Sequence, residues 1–230
     1  MQRSVRSLLV GLVFLALWPG IAQAQVKRGE VIAMAAAYSN LQWTPSASNA
    51  FHGVDATGVR VDTPDVGFQR EGIRGGWWVP DRKNTGVPYM WGGFSSLSEF
   101  EDGIRSGKAA GDVCTIEKRV KLDAAVSKSA VGIDCSGLVS RCWKLDRSYS
   151  TREIADLCTP LDSYEELKPG DILNCANKHV LIFWKCKSPG WILAYGAGSP
   201  PTWKVAVSQC YVPMLKQMGY KPYRYRQIED

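Results

Sequence analysis

Histidine is the scarcest ionisable residue in this chain of 230 residues, which contains only His52 and His179. Two histidines are too few for a histidine-rich metal site. No two of the seven cysteines have the C-x-x-C spacing that is typical of zinc ligands. We therefore expect no metal ion and no other cofactor. The same scarcity leaves few candidates for a general base, and we interpret His52, in the loop sequence A-F-H-G, as a structural or surface residue.

The chain also lacks an apolar run long enough to cross a membrane, which requires about 20 residues. Its most apolar stretch, residues 8–18, is short, follows Arg3 and Arg6, and precedes the sequence A-Q-A at 22–24. A basic region, a short apolar core and a small-residue cleavage site are the parts of a secretory signal peptide. We expect residues 1–24 to be removed and the mature protein to be periplasmic or extracellular, without a membrane span.

The chain lacks a strong excess of either charge, with 28 basic and 22 acidic side chains and a net charge of +6. So small an excess is typical of an ordinary surface, and it is equally compatible with an anionic partner such as a cell wall. Charge alone decides nothing about function. We expect no nucleic-acid partner, and we expect a monomer whose length suits a single sizeable core.

The number of cysteines is odd, and an oxidising compartment tends to pair thiols. An odd count leaves at least one thiol unpaired, and Cys135 is the natural candidate because of its sequence context. We therefore predict disulfide bonds among the other six, although the sequence does not determine their connectivity. Those six are Cys114, Cys142, Cys158, Cys175, Cys186 and Cys210.

The most informative stretch is G-I-D-C-S-G-L-V at 132–139, where Cys135 precedes a helical pattern of apolar residues. A helix N-terminus favours a thiolate because its unpaired backbone amides carry partial positive charge. His179 stands at the start of an apolar strand and would supply the base that a cysteine nucleophile needs. The two residues together predict a cysteine hydrolase.

The order of secondary structure predicts an α+β fold, because the strands cluster after the nucleophile helix instead of alternating with helices. We expect this helix to pack on an antiparallel sheet that carries the base. The predicted elements are helices at 30–41, near 117–130 and at 135–143, loops with short strands at 45–80, and strands at 172–174, 180–184 and 191–195.

Four motifs occur in a recognisable order: P-Y-M-W-G-G at 88–93, D-C-S-G at 134–137, L-K-P-G-D at 167–171 and H-V at 179–180. Over about residues 86–200 the chain thus resembles the NlpC-type cysteine peptidases. These are papain-like bacterial enzymes that cut peptidoglycan stem peptides. Four ordered motifs are far more specific than any one alone.

The resemblance implies an NlpC-type papain-like fold, with Cys135 as the nucleophile and His179 as the base. It implies that the Tyr89 hydroxyl lies near the thiol and that Asp134 and Ser136 shape the substrate pocket. Tyr89 and Trp91 are expected to bind substrate, although aromatic residues more commonly only pack. The substrate would be peptidoglycan or a muropeptide, cut between the side-chain carboxyl of D-glutamate and a diamino acid.

Two departures from the family pattern affect these expectations. First, residues 94–133 separate the P-Y-M-W-G-G motif from the D-C-S-G motif, and we interpret them as an insertion. The catalytic domain is expected at 86–230, with an N-terminal extension at 25–85 that packs on it. Second, a hairpin with Trp184 opposite Trp191 would place Gly196 opposite His179, where the family has a polar residue. Glycine cannot orient an imidazole.

A one-residue slip in that hairpin would bring Tyr195 opposite His179 instead, so a tyrosine, a water or a backbone carbonyl are the open choices for the orienting group. Two other functions also stay open. The chain would be a catalytically weak or inactive wall-binding protein, against which the presence of both Cys135 and His179 argues. Alternatively, it would be a Cys-His amidase or acyltransferase that acts on another substrate.

Overall fold

A computed structural model of the protein describes residues 25–73, 75–198 and 202–230. The predicted signal peptide at 1–24 lies outside the described residues. Within the described ranges, none of the helices combines the length and the apolar character that crossing a bilayer would require.

The helices that the structure describes range from one and a half to nearly four turns. They are α1 (Arg28–Asn40), α2 (Leu97–Arg105), α3 (Ile116–Lys121), α4 (Cys135–Cys142) and α5 (Val212–Gln217). The strands are β1 (Val26–Lys27), β2 (Gln42–Trp43), β3 (His52–Val54), β4 (Arg60–Asp62), β5 (Asn84–Thr85), β6 (Ala109–Ala110), β7 (Ala130–Val131), β8 (Cys158–Pro160), β9 (Ile172–Cys175), β10 (His179–Ser188), β11 (Trp191–Ala197), β12 (Val205–Tyr211), β13 (Lys221–Tyr225) and β14 (Ile228–Glu229).

The largest sheet has six strands in the order β12-β11-β10-β9-β13-β8, and the neighbouring strands in it are antiparallel. The chain is therefore a mixed α/β protein built on an antiparallel sheet, which is compatible with the predicted α+β class. The three strands expected from the sequence form the centre of this sheet as β9, β10 and β11. Strands β8, β12 and β13 extend it on both sides.

Both faces of this sheet are buried, and the side chains of its central strand β10 alternate between them. Val180 and Ile182 pack into a core cluster with residues of α1 and α4, and we call this side the α4 face. Leu181 and Phe183 pack into a second cluster with Leu215 of α5, and we call this side the α5 face. A residue of β10 therefore belongs to one face or the other according to its parity.

Helix α4 begins at Cys135 because Asp134 caps it, and the Asp134 carboxylate accepts hydrogen bonds from the Gly137 amide at 2.6 Å and the Ser136 hydroxyl at 3.0 Å. The helix also lies against the glycines of the first motif. A Cβ at Gly137 would come within 2.2 Å of the Gly93 carbonyl oxygen. A glycine here therefore allows the D-C-S-G motif to dock on the W-G-G motif.

The inserted segment 94–133 contains α2, α3 and the short parallel strand pair β6 and β7. The single helix predicted near 117–130 is wrong in extent, since α3 ends at Lys121 and a 3₁₀ turn follows at Leu122–Ala125. The physical reason is local, because Leu122 has a φ of 51°, which is incompatible with continuing the helix.

Residues 25–85 pack against the rest of the described chain. The Tyr38 hydroxyl of α1 donates a hydrogen bond to the Ser95 carbonyl at 2.8 Å, and the Trp43 indole donates one to the Gly86 carbonyl at 2.9 Å. The α1 side chains share their core cluster with α4. This segment thus packs beside α4, and α1 also contacts strands β11 and β12 of the sheet.

The predicted register of the β10–β11 hairpin is wrong. Trp191 pairs with Ser188, not with Trp184, and Ile182 pairs with Tyr195. Strand β10 continues to a tight turn in which Gly190 has a φ of 73°, and two register shifts occur between Phe183 and Ser188. Such bulges change the pairing in a way that counting residues from the turn does not reveal.

Candidate functional site

The Cys135 thiol opens into a cavity of about 330 Å³ at the N-terminus of α4. Only 9% of the residue is exposed, so the cavity is its contact with solvent. Tyr89, Trp91, Asp134 and Ser136 line the same cavity. The structure therefore brings together Cys135 and the four side chains that the sequence predicted around it.

Burial is the main influence on the thiol, and it raises the pKa of Cys135 to about 12, with a further increase from the negative charge of Asp134. The backbone amides of Val180, Ser136 and Cys135 itself act in the opposite direction. The group is therefore a neutral thiol at neutral pH, and a base must remove its proton before it can act as a nucleophile.

Asp134 has the raised pKa of a buried carboxyl. Burial raises it to about 6, against the hydrogen bonds from the Gly137 amide and from Ser136. Because these bonds direct the carboxylate to its own helix, Asp134 holds α4 in place as well as lining the cavity.

Tyr89 is 5% exposed and packs against Trp203, with ring centroids 5.6 Å apart. Burial raises the pKa of its phenol well above the usual range. The Cys114 thiol also has a raised pKa because of burial, and Arg119 and a hydrogen bond with the Tyr89 side chain partly offset that increase. The phenol thus lies between Cys114 and the cavity and is positioned by packing.

Trp91 forms the outer wall of the cavity together with the inserted segment. Its indole nitrogen donates a hydrogen bond to the Leu122 carbonyl at 3.2 Å, and the Arg119 guanidinium lies 5.9 Å from its ring centroid. The P-Y-M-W-G-G motif and the segment 94–133 are therefore in direct contact at this site.

His179 begins β10 on the α5 face, where it lines a second cavity of about 540 Å³ with Leu181, Gly196 and Gly198. Burial, together with the smaller effect of the positive charge of Arg119, lowers the pKa of His179 to about 4. The imidazole is therefore neutral at neutral pH, which is the form that accepts a proton.

The thiol and the imidazole open into neighbouring cavities, and the described residues show no hydrogen bond between them. The backbone next to His179 nevertheless contacts the thiol. Among the backbone amides that interact with the Cys135 sulfur is that of Val180, the residue directly after His179. The Cys135 sulfur therefore lies beside the backbone at the start of β10, where His179 is the first residue.

Gly196, and not Tyr195, faces the imidazole. A Cβ on Gly196 would lie 3.4 Å from Nε2 of His179, whereas Tyr195 pairs with Ile182 and packs on the α4 face. The Asn174 side chain donates a hydrogen bond to the Thr151 carbonyl at 2.9 Å, and its buried oxygen has no partner. The expected position of the orienting residue is thus occupied by a glycine.

The sequence interpretation missed three basic residues at the site. Arg119 and Lys178 line both cavities, and Arg152 lines the thiol cavity. The available signal was the basic run in α3, K-R-V-K at 118–121. Nothing in that run says which of its members turns towards Cys135.

A second thiol was also missed. Cys175 lies directly opposite His179 in the β9–β10 pair, which places their side chains on the same face. Its sulfur donates a hydrogen bond to the Met218 carbonyl at 3.5 Å, and the residue is 6% exposed. Register alone would make Cys175 the partner of the imidazole, but it lacks the helix terminus that surrounds Cys135 with amides.

The predicted framework of disulfide bonds is not present in the structure, where all seven cysteines are thiols. Cys142 and Cys158 pack in the cluster of the α4 face, whereas Cys175 packs in that of the α5 face. Each fills space as a small apolar side chain. His52 lies in a different environment, with Nε2 at 3.0 Å from the Asp65 carboxylate and its ring stacked on Phe68.

The fold and the site define an α+β protein with a buried thiol at a helix N-terminus, open to a cavity with basic walls. No family model matches the chain, and no curated protein matches it either. The function is therefore argued from the residues and their geometry.

Proposed function

We propose that the protein is an exported cysteine hydrolase with an NlpC-type papain-like fold that cleaves amide bonds in peptidoglycan stem peptides. The observation that carries this proposal is the environment of Cys135. Cys135 is the first residue of a buried helix, and its thiol faces a cavity. The sulfur interacts with the backbone amide of Val180, the residue after His179, and with two further backbone amides. These are the parts that acyl transfer requires.

The reaction starts from a neutral pair, since the pKa of Cys135 is raised and that of His179 is lowered. His179 takes the thiol proton while the sulfur attacks the amide carbonyl carbon. The resulting imidazolium gives this proton to the leaving amine, and a thioester remains on Cys135. Water then attacks the thioester carbonyl as His179 accepts its proton, and the thiol leaves with that proton to restore the starting state.

The amides around the sulfur suit a second role in this scheme. As the carbonyl oxygen becomes negative, the backbone amide of Cys135 is positioned to donate a hydrogen bond to it. Asp134 keeps these amides fixed by capping the helix. We expect a second nearby donor to complete the stabilisation of the oxyanion.

Proton transfer requires the imidazole within about 2.6–3.2 Å of a hydrogen-bond partner, a geometry that often forms only when substrate binds. His179 is the first residue of β10, and the Cys135 sulfur interacts with the backbone amide of the next residue, Val180.

A catalytically weak wall-binding protein is the second candidate, and the glycine at 196 favours it. Without a side chain at this position, the tautomer and orientation of the imidazole are not fixed by a hydrogen bond from β11. An amidase or acyltransferase for another substrate would use the same dyad and would differ only in its products.

Incubation of the mature protein with purified muropeptides, followed by mass spectrometry, tests these candidates. We expect one stem-peptide amide to be cleaved with the gain of one water, and we expect Cys135→Ala to leave the muropeptides intact. Muropeptides unchanged by the unmodified protein would reject the hydrolase, and equal cleavage by Cys135→Ala would reject the nucleophile. A product that joins the acyl group to an added amine without hydrolysis would identify a transferase.

A further inference from the structure

We propose that Arg119, which the inserted segment 94–133 carries to the site, binds a carboxylate of the substrate beside the Cys135 thiol and selects acidic peptides. This inference rests on the proposed function, which it deepens by assigning a specificity-determining residue. It gives the insertion a role that the nucleophile and the base do not explain.

The position of Arg119 carries the first part of the argument. The residue lies on α3, is exposed, and lines both the thiol cavity and the imidazole cavity. Its guanidinium extends over the Trp91 ring and donates a hydrogen bond to the Asn177 carbonyl at 3.4 Å. These contacts hold the cation at the boundary between the nucleophile and the base.

The charge of Arg119 is available to a ligand. Its neighbours on α3 are already engaged, since Lys118 pairs with the buried Asp112 and Glu117 pairs with Arg70 at 3.1 Å. Within residues 25–73, 75–198 and 202–230, Arg119 forms no ion pair with a carboxylate. A planar guanidinium with free donors matches the two oxygens of a carboxylate.

The rest of the cavity reinforces this preference. Arg152 and Lys178 also line it, both are exposed, and neither forms an ion pair within the described part of the chain. The acidic side chains on its walls are Asp123 and Asp134, and Asp134 is directed to its own helix. Three cations against one solvent-facing carboxylate give the cavity an excess of positive charge that attracts anions.

The occupant must also present an amide carbonyl to the sulfur. A carboxylate close to a scissile amide is the property of a peptide with an acidic residue next to the bond. Arg119 contacts Trp91, the Asn177 carbonyl and the Cys114 thiol, and none of these contacts is an ion pair, so its removal should change binding more than folding. This distinguishes Arg119 from Asp134, whose removal would uncap α4.

The first test needs no turnover and uses two reagents of similar size, iodoacetate and iodoacetamide, which alkylate thiols and differ in charge. The rate at Cys135 is measured by mass spectrometry of its peptide, with the exposed Cys186 in the same molecule as the reference. We expect Cys135 to favour iodoacetate relative to Cys186, and Arg119→Gln to reduce that preference about tenfold, as expected when a charge-assisted bond is lost.

Two variants serve as matched controls for the alkylation test. Arg119→Lys keeps the charge and should retain part of the preference for iodoacetate. Arg105→Gln removes a basic residue from α2 of the same inserted segment, where it pairs with Asp102, and should leave the preference unchanged. An unchanged ratio in Arg119→Gln would overturn the proposal, and so would a Cys135 that reacts with neither reagent.

The second test compares muropeptides that carry a free carboxylate next to the scissile bond with their carboxamide forms. Arg119→Gln should raise KM for the acidic substrate about tenfold with a smaller change in kcat, and KM for the amidated substrate should stay the same. If no muropeptide is cleaved, the proposed function fails while the alkylation ratio still decides the role of Arg119. Cleavage with equal KM values for both forms would reject Arg119 alone.

Discussion

The two faces of the central sheet divide the proposed chemistry between them. The α4 face holds the thiol, the amides of the helix N-terminus and the first-motif aromatics around one cavity. The α5 face holds His179 and Gly196 at a second cavity, and a second thiol, Cys175, pairs with His179 across the strands on this face. The proposed nucleophile is thus on one face, and the proposed base is on the other.

This division shows that strand register alone does not identify the reacting pair. By register, the imidazole belongs with Cys175, which lies directly opposite it. By environment, it belongs with Cys135, whose sulfur interacts with the Val180 amide and with the helix terminus.

The largest effect is expected from the thiols. Cys135→Ala should lower muropeptide cleavage by at least about 10⁴-fold, which is the scale of removing a covalent nucleophile. Cys175→Ala is the matched control from the other face and should change the rate by less than about threefold, since it removes one buried sulfur. Initial rates and melting temperatures of both variants measure this, and the reverse ranking would move the nucleophile to the α5 face.

The histidines give the next largest effect. His179→Ala should lower kcat by about 10²–10⁴-fold, the usual contribution of a general base. His52→Gln is the control, because His52 pairs with Asp65 and stacks on Phe68 away from both cavities. If His52→Gln, at unchanged folded content, proved as damaging as His179→Ala, the assignment of the base would be wrong.

Much of the sheet centre and the nucleophile helix could be predicted from the sequence. The helix at 135–143 and the strands β9 to β11 follow from apolar periodicity, and the four cavity residues that the sequence predicted lie in the P-Y-M-W-G-G and D-C-S-G motifs. The register was predicted wrongly because the shifts between Phe183 and Ser188 depend on packing from both faces. Local alternation does not encode such bulges.

The contribution of the insertion could not be predicted for a related reason. Residues 94–133 hold short elements, and a six-residue helix such as α3 is positioned by its contacts and hardly by its own propensity. The orientation of Arg119 depends on Trp91 and on the Asn177 carbonyl, which are distant in sequence. A basic run therefore gave no indication of which residue reaches the thiol.

A smaller effect is expected at position 196. Gly196→Asn places an amide where a Cβ would lie 3.4 Å from Nε2 of His179, and the 2.7 Å approach to the Leu181 side chain requires that flexible group to move. We expect a rise in kcat of about two- to tenfold, because an orienting partner fixes the imidazole. Tyr195→Phe lies on the α4 face and should leave kcat unchanged, so a loss there would restore the tyrosine as the orienting group.

The smallest effect on activity is expected from whether the cysteines other than Cys135 are free thiols or disulfide-bonded. The structure predicts seven titratable thiols in protein denatured without reductant, whereas pairing in an oxidising compartment predicts one. Thiol titration of protein recovered from such a compartment, with peptide mapping, distinguishes these results. Cys135 found in a disulfide bond would remove it as the nucleophile in either case.

The pH dependence of Cys135 alkylation by iodoacetamide, in the unmodified protein and in His179→Ala, tests most directly whether the base of one face serves the thiol of the other. With a thiol pKa raised to about 12, the variant should react about ten times faster for each pH unit gained, since only the thiolate reacts. In the unmodified protein, neutral His179 should hold the rate higher and nearly constant around neutral pH, with a fall only as the pH drops towards its pKa of about 4, where the imidazole becomes protonated. Superimposable profiles for the two proteins would contradict the pairing of Cys135 with His179.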